Sequence, residues 1–272
     1  MKKLFLFFSL ITIGYYSWAQ IGAPSAGARS FAMGEASTTL RDVYSAGNNP
    51  AAMPFVENPS LGLSGVSYFG FSDLTNAWLA TVLPTDLGAF GGSVQYQGDP
   101  NFNQTKVGIG YGRKLSNNLS LGILLDYCHT RINELGTGSA ITFDAGLLFQ
   151  PIPELTASAR VFNPIKASPG NDFANEQLPA LFALGLAYEP SKHFLLLAEA
   201  EQDLYADMNF KFGLEIPILE QLFIRGGYIT KSSSFSVGFG VVLDQLRIDA
   251  AGQFQPQLGF SPAVGLQYLF IN

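Results

Sequence analysis

Apolar and polar side chains alternate along many stretches of this chain. In residues 105–114 one face carries Val107, Ile109 and Tyr111, and the other face carries a lysine and glycines. Residues 207–216 and 233–243 repeat the pattern, with phenylalanines opposite small or charged residues. Because successive side chains of a β-strand point to opposite faces, this period of two predicts strands with one apolar face and one small or polar face.

The alternation predicts an all-β chain, a transmembrane antiparallel β-barrel with fourteen strands of about ten residues each. The predicted strands are residues 61–69, 74–83, 87–97, 105–114, 119–130, 139–150, 154–162, 177–189, 193–203, 207–216, 221–230, 233–243, 245–254 and 261–271. Twelve or sixteen strands are the alternatives, because the first two segments alternate poorly. The long links all follow odd-numbered strands, which is typical of outer-membrane barrels.

The face opposite the apolar one decides between a barrel and a soluble β-sandwich. A sandwich would expose lysine, glutamate and threonine, whereas this face is mostly glycine, alanine and serine, which suits a narrow barrel interior. The residues predicted to face lipid include Val107, Ile109, Tyr111, Phe210, Phe212, Phe235, Val237, Phe239, Tyr268 and Phe270.

A set of charged residues is then predicted to face the lumen: Asp126, Asp144, Arg160, Glu199, Glu201, Lys211, Glu215, Arg225, Arg247 and Asp249. The four acids from Glu199 onward are expected in one neighbourhood with Lys211, Arg225 and Arg247. These charges form either a polar conduit or a paired network that fills the barrel, and we favour the network because buried charges need partners. Further partners are expected before the barrel, at Arg29, Glu35, Arg41 and Asp42.

Composition agrees with a chain embedded in outer-membrane lipid. Hydrophobic residues make up 47% of the chain and charged residues 13%, against roughly 25% charged in soluble domains. Beyond residue 19 no apolar run reaches the ~20 residues of a spanning helix. Strands closed into a barrel can instead satisfy every backbone hydrogen bond within a membrane. The formal net charge of −6 argues against nucleic acid as a partner.

Residues 1–19 read as a secretory signal peptide. Lys2 and Lys3 precede an apolar stretch, and Ser17 and Ala19 fit the small-residue rule for cleavage. A permanent anchor helix is the alternative, but the apolar core is shorter than the ~20 residues that such a helix needs. The sequence therefore predicts export to the outer membrane of a Gram-negative cell.

No catalytic site, metal site or cofactor is predicted. The only histidines, His129 and His193, are placed near the outer end of strand five and the inner end of strand nine, and no Gly-x-Ser-x-Gly motif occurs. Cys128 is the only cysteine, so no internal disulfide or cysteine-based metal site can form. The chain is therefore predicted not to be an enzyme.

A stretch unlike a strand precedes the barrel at residues 27–53, "GARSFAMGEASTTLRDVYSAGNNPAAM". We assign residues 20–58 to a plug segment and residues 59–272 to the barrel. The pattern of Met33, Gly34, Asp42, Asn49 and Pro50 resembles the N-terminal motif of the FadL-like superfamily, most closely its PorV/PorQ-type branch in Bacteroidetes. The resemblance implies a fourteen-stranded barrel with this segment folded into the lumen as a plug. Glu35 stands where members carry a second glycine.

The resemblance implies two possible roles. The FadL branch passes fatty acids and other hydrophobic molecules sideways into the membrane. The PorV branch serves type IX secretion, by holding the C-terminal domain of secreted cargo or by docking on a translocon subunit. The longest predicted outer link, residues 163–176, is short for a large vestibule, which favours the secretion role. A purely structural barrel is the third alternative.

A secreted partner would meet a small rim of predicted outer loops, residues 98–104, 131–138, 163–176 and 255–260. Their exposed apolar points are Phe102, Phe173 and Phe260. Binding energy at interfaces is concentrated in a few aromatic anchors, so these three are the candidate partner-binding residues, although loop aromatics can also be plain loop anchors.

Overall fold

The computed structural model describes residues 25–170, 178–191, 193–204 and 206–271, so the predicted signal peptide lies outside the described residues. The chain forms a closed antiparallel barrel of fourteen strands, in which β1 pairs with both β2 and β14. The strands are β1 Ser60–Ser67, β2 Thr75–Thr85, β3 Gly88–Gly98, β4 Phe102–Lys114, β5 Leu119–Ile132, β6 Gly136–Ile152, β7 Leu155–Phe162, β8 Leu181–Ser191, β9 Phe194–Asp203, β10 Asn209–Leu219, β11 Leu222–Ile229, β12 Ser234–Leu243, β13 Leu246–Gln255 and β14 Gly259–Leu269. The predicted strand number is confirmed.

The predicted apolar face lies on the outside of the barrel. Ile109 is 64% exposed and Val237 is 66% exposed, and the other residues of that predicted set are exposed or, for Tyr111, half-buried. A soluble protein rarely exposes an apolar surface that runs around its whole circumference. The soluble-sandwich alternative is therefore wrong, and the outer wall is one that faces lipid. No helix among the described residues is long and apolar enough to cross a membrane.

The segment before β1 folds into short helical pieces inside the barrel. These are α1 Ala28–Ala32, α2 Ser45–Asn48 and a 3₁₀ helix, Pro50–Phe55. The 3₁₀ helix begins at Asn49, whose side chain accepts a hydrogen bond from the Ala51 N–H, and proline occupies its first position, where no N–H is needed. The chain between the pieces is also buried. We call residues 25–59 the plug.

Glycines on the inner face of the barrel make room for the plug. A Cβ on Gly122 would meet the Pro50 carbonyl group, and one on Gly146 would meet the Asn49 side chain. The same holds at other strand positions, where plug atoms lie against Gly62, Gly91, Gly112, Gly213, Gly227, Gly238 and Gly265. The small inner residues of the sequence pattern thus exist because the lumen holds packed chain, and interiors packed this closely leave little free volume.

The two ends of the barrel differ in their links. Links after even-numbered strands include the two-residue turns 86–87, 153–154, 220–221 and 244–245. We call the opposite end, with the links after odd-numbered strands, the outer end. Its longest link runs from residue 163 to 180, and the β1–β2 link holds two short 3₁₀ helices, Tyr68–Gly70 and Ser72–Leu74.

Three outer links are shorter than predicted. The strands extend into the predicted loops and leave only residues 99–101, 133–135 and 256–258 as links. Each link adjoins a glycine with φ between 105° and 110°, namely Gly98, Gly136 and Gly259. Because glycine reaches this region at little cost, it closes a three-residue hairpin that other residues would hold open. These glycines therefore tighten the turns and let the strands extend into the predicted loops.

Candidate functional site in the barrel lumen

Glu215 on β10 is the centre of the largest charged group in the lumen. Its carboxylate accepts hydrogen bonds from Arg29 in the plug at 2.6 and 2.9 Å and from Arg225 on β11 at 2.6 Å. Arg247 on β13 approaches the same carboxylate at 3.3 Å, and Arg225 also donates to Asp249 at 2.8 Å. The group therefore connects strands β10, β11 and β13 to the plug through ion pairs that are largely shielded from solvent.

Arg29 is the plug residue that joins this group. Besides Glu215, its guanidinium contacts Asp42 at 3.3 Å, within the plug itself. Burial alone would lower the pKa of Arg29, but the carboxylates of Glu215 and Asp42 raise it above its ordinary value. Arg29 is therefore held charged, and its removal would leave two buried carboxylates without that partner.

Lys211 on β10 is the centre of a second group. Its ammonium lies 2.8 Å from Glu201 and 3.4 Å from Glu199, both on β9. One oxygen of Glu199 also accepts hydrogen bonds from the backbone N–H groups of Ser37 and Thr38, each at 2.9 Å, and from the Thr38 hydroxyl at 2.8 Å. Glu199 thus satisfies backbone donors of a plug loop that has no regular structure.

A third group lies on β6 and β7. Arg160 donates to Asp144 at 2.8 Å and to the backbone carbonyl of Gly47 in the plug at 3.0 Å. Asp126 on β5 is fully buried, yet neither of its carboxylate oxygens has a hydrogen-bond partner among the described residues. The four acids expected in one neighbourhood lie in two ion-paired groups, Glu199 and Glu201 with Lys211, and Glu215 and Asp249 with Arg225 and Arg247. Asp126 is in none of the three groups.

Two plug residues that were expected to join the network behave differently. Arg41 donates to the Thr156 hydroxyl at 2.8 Å and stacks 4.3 Å from the Phe55 ring, without an ion pair among the described residues. Glu35 has a φ of 61°, and burial raises the pKa of its carboxyl while Lys211 opposes that rise. The left-handed backbone at Glu35 explains why glycine suits this position in the motif that the sequence resembles.

The remaining motif residues lie within the plug and brace it. Met33 is fully buried against Leu197 on β9, and Gly34 lies against the backbone of β10 and β11, where a Cβ would not fit. Asn49 donates from its amide to the Thr38 carbonyl at 2.7 Å, which closes the plug on itself, and Pro50 is buried beside β4 and β5. These residues therefore brace the plug by packing against the wall and by a hydrogen bond within the plug.

A small cavity of about 50 Å³ lies near the outer end, lined by residues of β3, β4, β5 and β7 and of the link that precedes β8. Its walls include the apolar side chains of Phe162, Leu178, Pro179 and Cys128. Polar residues complete the lining, among them Gln95, Gln97, Gln104, Thr105, Lys106, His129 and Thr130. A pocket with apolar walls and a few polar groups is the usual form of a small-molecule site.

Asn163 shapes this cavity. It is fully buried at a φ of 53°, where its side-chain oxygen accepts hydrogen bonds from the Thr142 hydroxyl and the Ala167 N–H, each at 2.8 Å. Its amide donates to the Leu178 carbonyl at 3.0 Å, which holds the end of the long outer link against the barrel mouth. The sequence analysis did not select Asn163; its position between a strand and Pro164 was the available signal.

Lys106 at this cavity was also missed, although it stood out as the charged residue on a glycine-rich strand face. Its ammonium lies 5.3 Å from the Trp78 ring centroid and 4.9 Å from that of Phe162. The side chain is 8% exposed, and its nitrogen has no hydrogen-bond acceptor among the described residues. Aromatic faces stabilise a cation, but they leave the three N–H donors of an ammonium unsatisfied.

The structure corrects the assignment of the candidate partner-binding aromatics to loops. Phe102 is the first residue of β4 and is half-buried. Phe260 belongs to β14 and points outward, 55% exposed, with its ring covering Gly252 of β13. Phe173 lies outside the described residues. The role of these residues in binding a partner stays a prediction. Phe71 in the β1–β2 link, also at the outer end, is more exposed than Phe260, at 62%.

The two histidines lie at opposite ends of the barrel, with His129 near the outer end of β5 and His193 at the β8–β9 turn. Within the described ranges, no three His, Cys, Asp or Glu side chains are grouped as metal ligands. A second cavity of about 210 Å³ opens near the short-turn end, lined by Arg29, Arg41, Glu154 and Glu189 among others. Nδ1 of His129 lies 2.9 Å from the Ser139 hydroxyl, which is also 2.9 Å from the Tyr127 hydroxyl, in an exposed cluster of β5 and β6.

Solved structures with the same fold include two toluene transporters and a FadL homologue. The crystal structure of the toluene transporter TbuX from Ralstonia pickettii has a TM-score of 0.75 at 14% identity, over 92% of this chain and 99% of the transporter's. The Pseudomonas putida toluene transporter TodX gives 0.71 at 13%, over 90% and 98%. A Pseudomonas aeruginosa FadL homologue gives 0.65 at 16%, over 91% and 98%. No family model and no curated protein matches the sequence. The chain has the fold of FadL-like barrels.

Proposed function

We propose that this protein is an exported outer-membrane barrel that admits small, largely apolar molecules. The observation that carries the proposal is the cavity at the outer end, whose walls of Phe162, Leu178, Pro179 and Cys128 offer an apolar surface beside a few polar groups. Its support from comparison is the shared fold with toluene transporters along nearly the whole chain. This ranks transport above the secretion role that the sequence alone favoured.

Passage requires the molecule to move beyond this cavity. An engineered cavity that holds benzene measures about 150 Å³, and the cavity here measures about 50 Å³. Below it the plug packs against the inner wall, and β2, β3 and β4 are paired without a register shift, so the wall has no side opening there. The cavity is therefore the first binding position, and transfer needs a rearrangement of plug or wall.

Uptake measurements test the proposal. A Gram-negative host that produces the protein should take up labelled toluene several-fold faster than cells with an empty vector. Leu178→Trp fills the cavity and should abolish the gain. Leu135→Trp is the matched control, because Leu135 is 66% exposed on another outer link and should leave uptake unchanged. Equal uptake by vector, wild type and both variants would exclude transport of this class of molecule.

A second candidate role, as a secretion accessory, is supported by the small outer rim. Several outer links have three residues, and Phe71 and Leu74 are exposed on the β1–β2 link beside them. Short outer links above a lumen filled by the plug leave room for a folded partner to bind at the outer end. The PorV/PorQ-like motif of the plug agrees with this role. The partner would be the C-terminal domain of a secreted protein or a translocon subunit.

A further inference from the structure

Lys106 is the least satisfied charged side chain that borders a cavity. Its ammonium is enclosed by the Trp78 and Phe162 rings, and no acceptor among the described residues lies within hydrogen-bonding distance. Burying a charged group without hydrogen bonds is costly unless a partner arrives. Asp126, the nearby acid on β5, interacts with Lys106 electrostatically but accepts no hydrogen bond from it, since neither Asp126 oxygen has a hydrogen-bond partner among the described residues.

The chemistry of the cavity shows which partner would serve. No carboxylate is among the described residues that line it, whereas Lys106 and the side-chain amides of Gln95, Gln97 and Gln104 offer donors. The flexible stem of a lysine lets its ammonium turn toward a ligand, because the side chain has several rotatable bonds. The opposite wall, at Phe162 and Leu178, is apolar. A complementary ligand therefore has an apolar body and an oxygen acceptor.

We propose that Lys106 selects, among small apolar molecules, those that carry a terminal oxygen acceptor, such as a hydroxyl, carbonyl or carboxylate group. This inference rests on the proposed transport function and specifies its substrate class. The cavity of about 50 Å³ holds the oxygen-bearing end, since it is much smaller than an engineered cavity of about 150 Å³ that binds a whole benzene molecule. The apolar body then lies in the open mouth along Phe162 and Leu178.

The fluorescence of Trp78 provides the measurement of ligand binding. The chain has two tryptophans, Trp18 and Trp78, so a protein prepared without residues 1–19 carries only the one that touches Lys106. Its fluorescence is titrated with four probes that share a phenyl group: toluene, benzyl alcohol, benzoate and benzylamine. Benzyl alcohol and benzoate should bind about tenfold or more tightly than toluene, because hydrogen bonds to charged groups are the stronger kind. Benzylamine should bind more weakly than toluene, since its charge repels Lys106.

Two substitutions test whether Lys106 causes the preference for ligands that carry an oxygen acceptor. Lys106→Met keeps the length of the side chain and should remove the preference for oxygen while leaving toluene affinity within about twofold. Lys106→Arg keeps the charge and should retain the preference. Lys114→Met is the matched control and should also retain it, because Lys114 is an exposed lysine at the other end of β4 and does not line the cavity. Folding is checked by heat-modifiability on gels, and if Lys106→Met fails to fold, the wild-type probe series still decides.

The outcomes separate this inference from the transport proposal. Equal binding of toluene, benzyl alcohol and benzoate by the wild type would overturn the role of Lys106 and leave transport of apolar molecules standing. A preference for oxygen that persists in Lys106→Met would also overturn it. Absence of any response to all four probes would overturn both. Preference for benzoate alone would narrow the acceptor to a carboxylate and support the inference.

Discussion

Glu199 on β9 holds the plug loop at Thr38 through a single carboxylate oxygen. That oxygen accepts from the Thr38 N–H at 2.9 Å and from the Thr38 hydroxyl at 2.8 Å, across 161 positions of sequence. A buried carboxylate that also pairs with Lys211 makes hydrogen bonds of the strong, charge-assisted kind. The relationship identifies the main polar attachment of a plug loop that lacks secondary structure.

Glu199→Ala should loosen this attachment. Removing one partner of a buried, hydrogen-bonded charge pair costs about 3–5 kcal/mol, and the Ser37 and Thr38 N–H groups would lose their acceptor. The measurement is urea unfolding of protein refolded in lipid vesicles. Glu201→Ala is the control, because Glu201 contacts Lys211 but is more exposed, and its loss should be smaller. Equal losses would show that the contacts to the plug contribute nothing.

Glu35→Gly should stabilise the protein relative to Glu35→Ala. Both substitutions remove the buried carboxyl, but only glycine relieves the backbone at φ 61°, where a residue with a Cβ pays about 1 kcal/mol or more. The difference between the two unfolding free energies isolates the backbone contribution. Identical stabilities would show that the left-handed conformation at this position costs nothing.

Phe239→Arg should weaken insertion of the barrel. Phe239 is exposed on the outer face in the middle of β12, and arginine near the midplane of a bilayer costs roughly 2–4 kcal/mol. Phe270→Arg, just beyond β14, should cost roughly 0–1 kcal/mol because it lies near the interface. Refolding into vesicles at graded urea concentrations gives both values. A cost that does not differ between the two positions would contradict the proposed depth.

Intact protein should pass little or no steady current in planar bilayers. The plug fills the lumen, and its atoms lie in contact with inner-wall glycines of many strands. Deletion of residues 27–53 should open a pore or impair assembly, since the ion pair of Arg29 with Glu215 is lost with it. A large, stable conductance from the complete protein would refute a sealed lumen.

If the secretion role holds, the β1–β2 link should contribute to the interface. Replacing Phe71 and Leu74 by alanine should weaken binding of a secreted C-terminal domain by ~1–3 kcal/mol, because exposed apolar anchors concentrate binding energy. Leu219→Ala is the control, since Leu219 is an exposed apolar residue at the opposite, short-turn end of the barrel. Pull-downs quantify recovery, with heat-modifiability as the folding check. Recovery unaffected by the double substitution would remove this link from the interface.

The sequence by itself determined the barrel fold and which side of each strand faces outward. The period-two pattern gave strand number and the outward set, because each strand exposes one face to lipid and the other to the lumen regardless of its distant neighbours. A local motif also marked the plug and the position at which Glu35 replaces glycine. Such information lies in adjacent residues and needs no knowledge of the tertiary arrangement.

Only the tertiary structure decided which inward charges meet. Closure of the barrel places Glu199 beside Thr38 and Lys106 between Trp78 and Phe162, although these residues are far apart in sequence. It also separated the predicted single charge network into distinct groups and left Asp126 outside them. The physical reason is that alternation fixes the face of each side chain, whereas the pairing of side chains across the lumen depends on strand register and on the path of the plug, which no local pattern encodes.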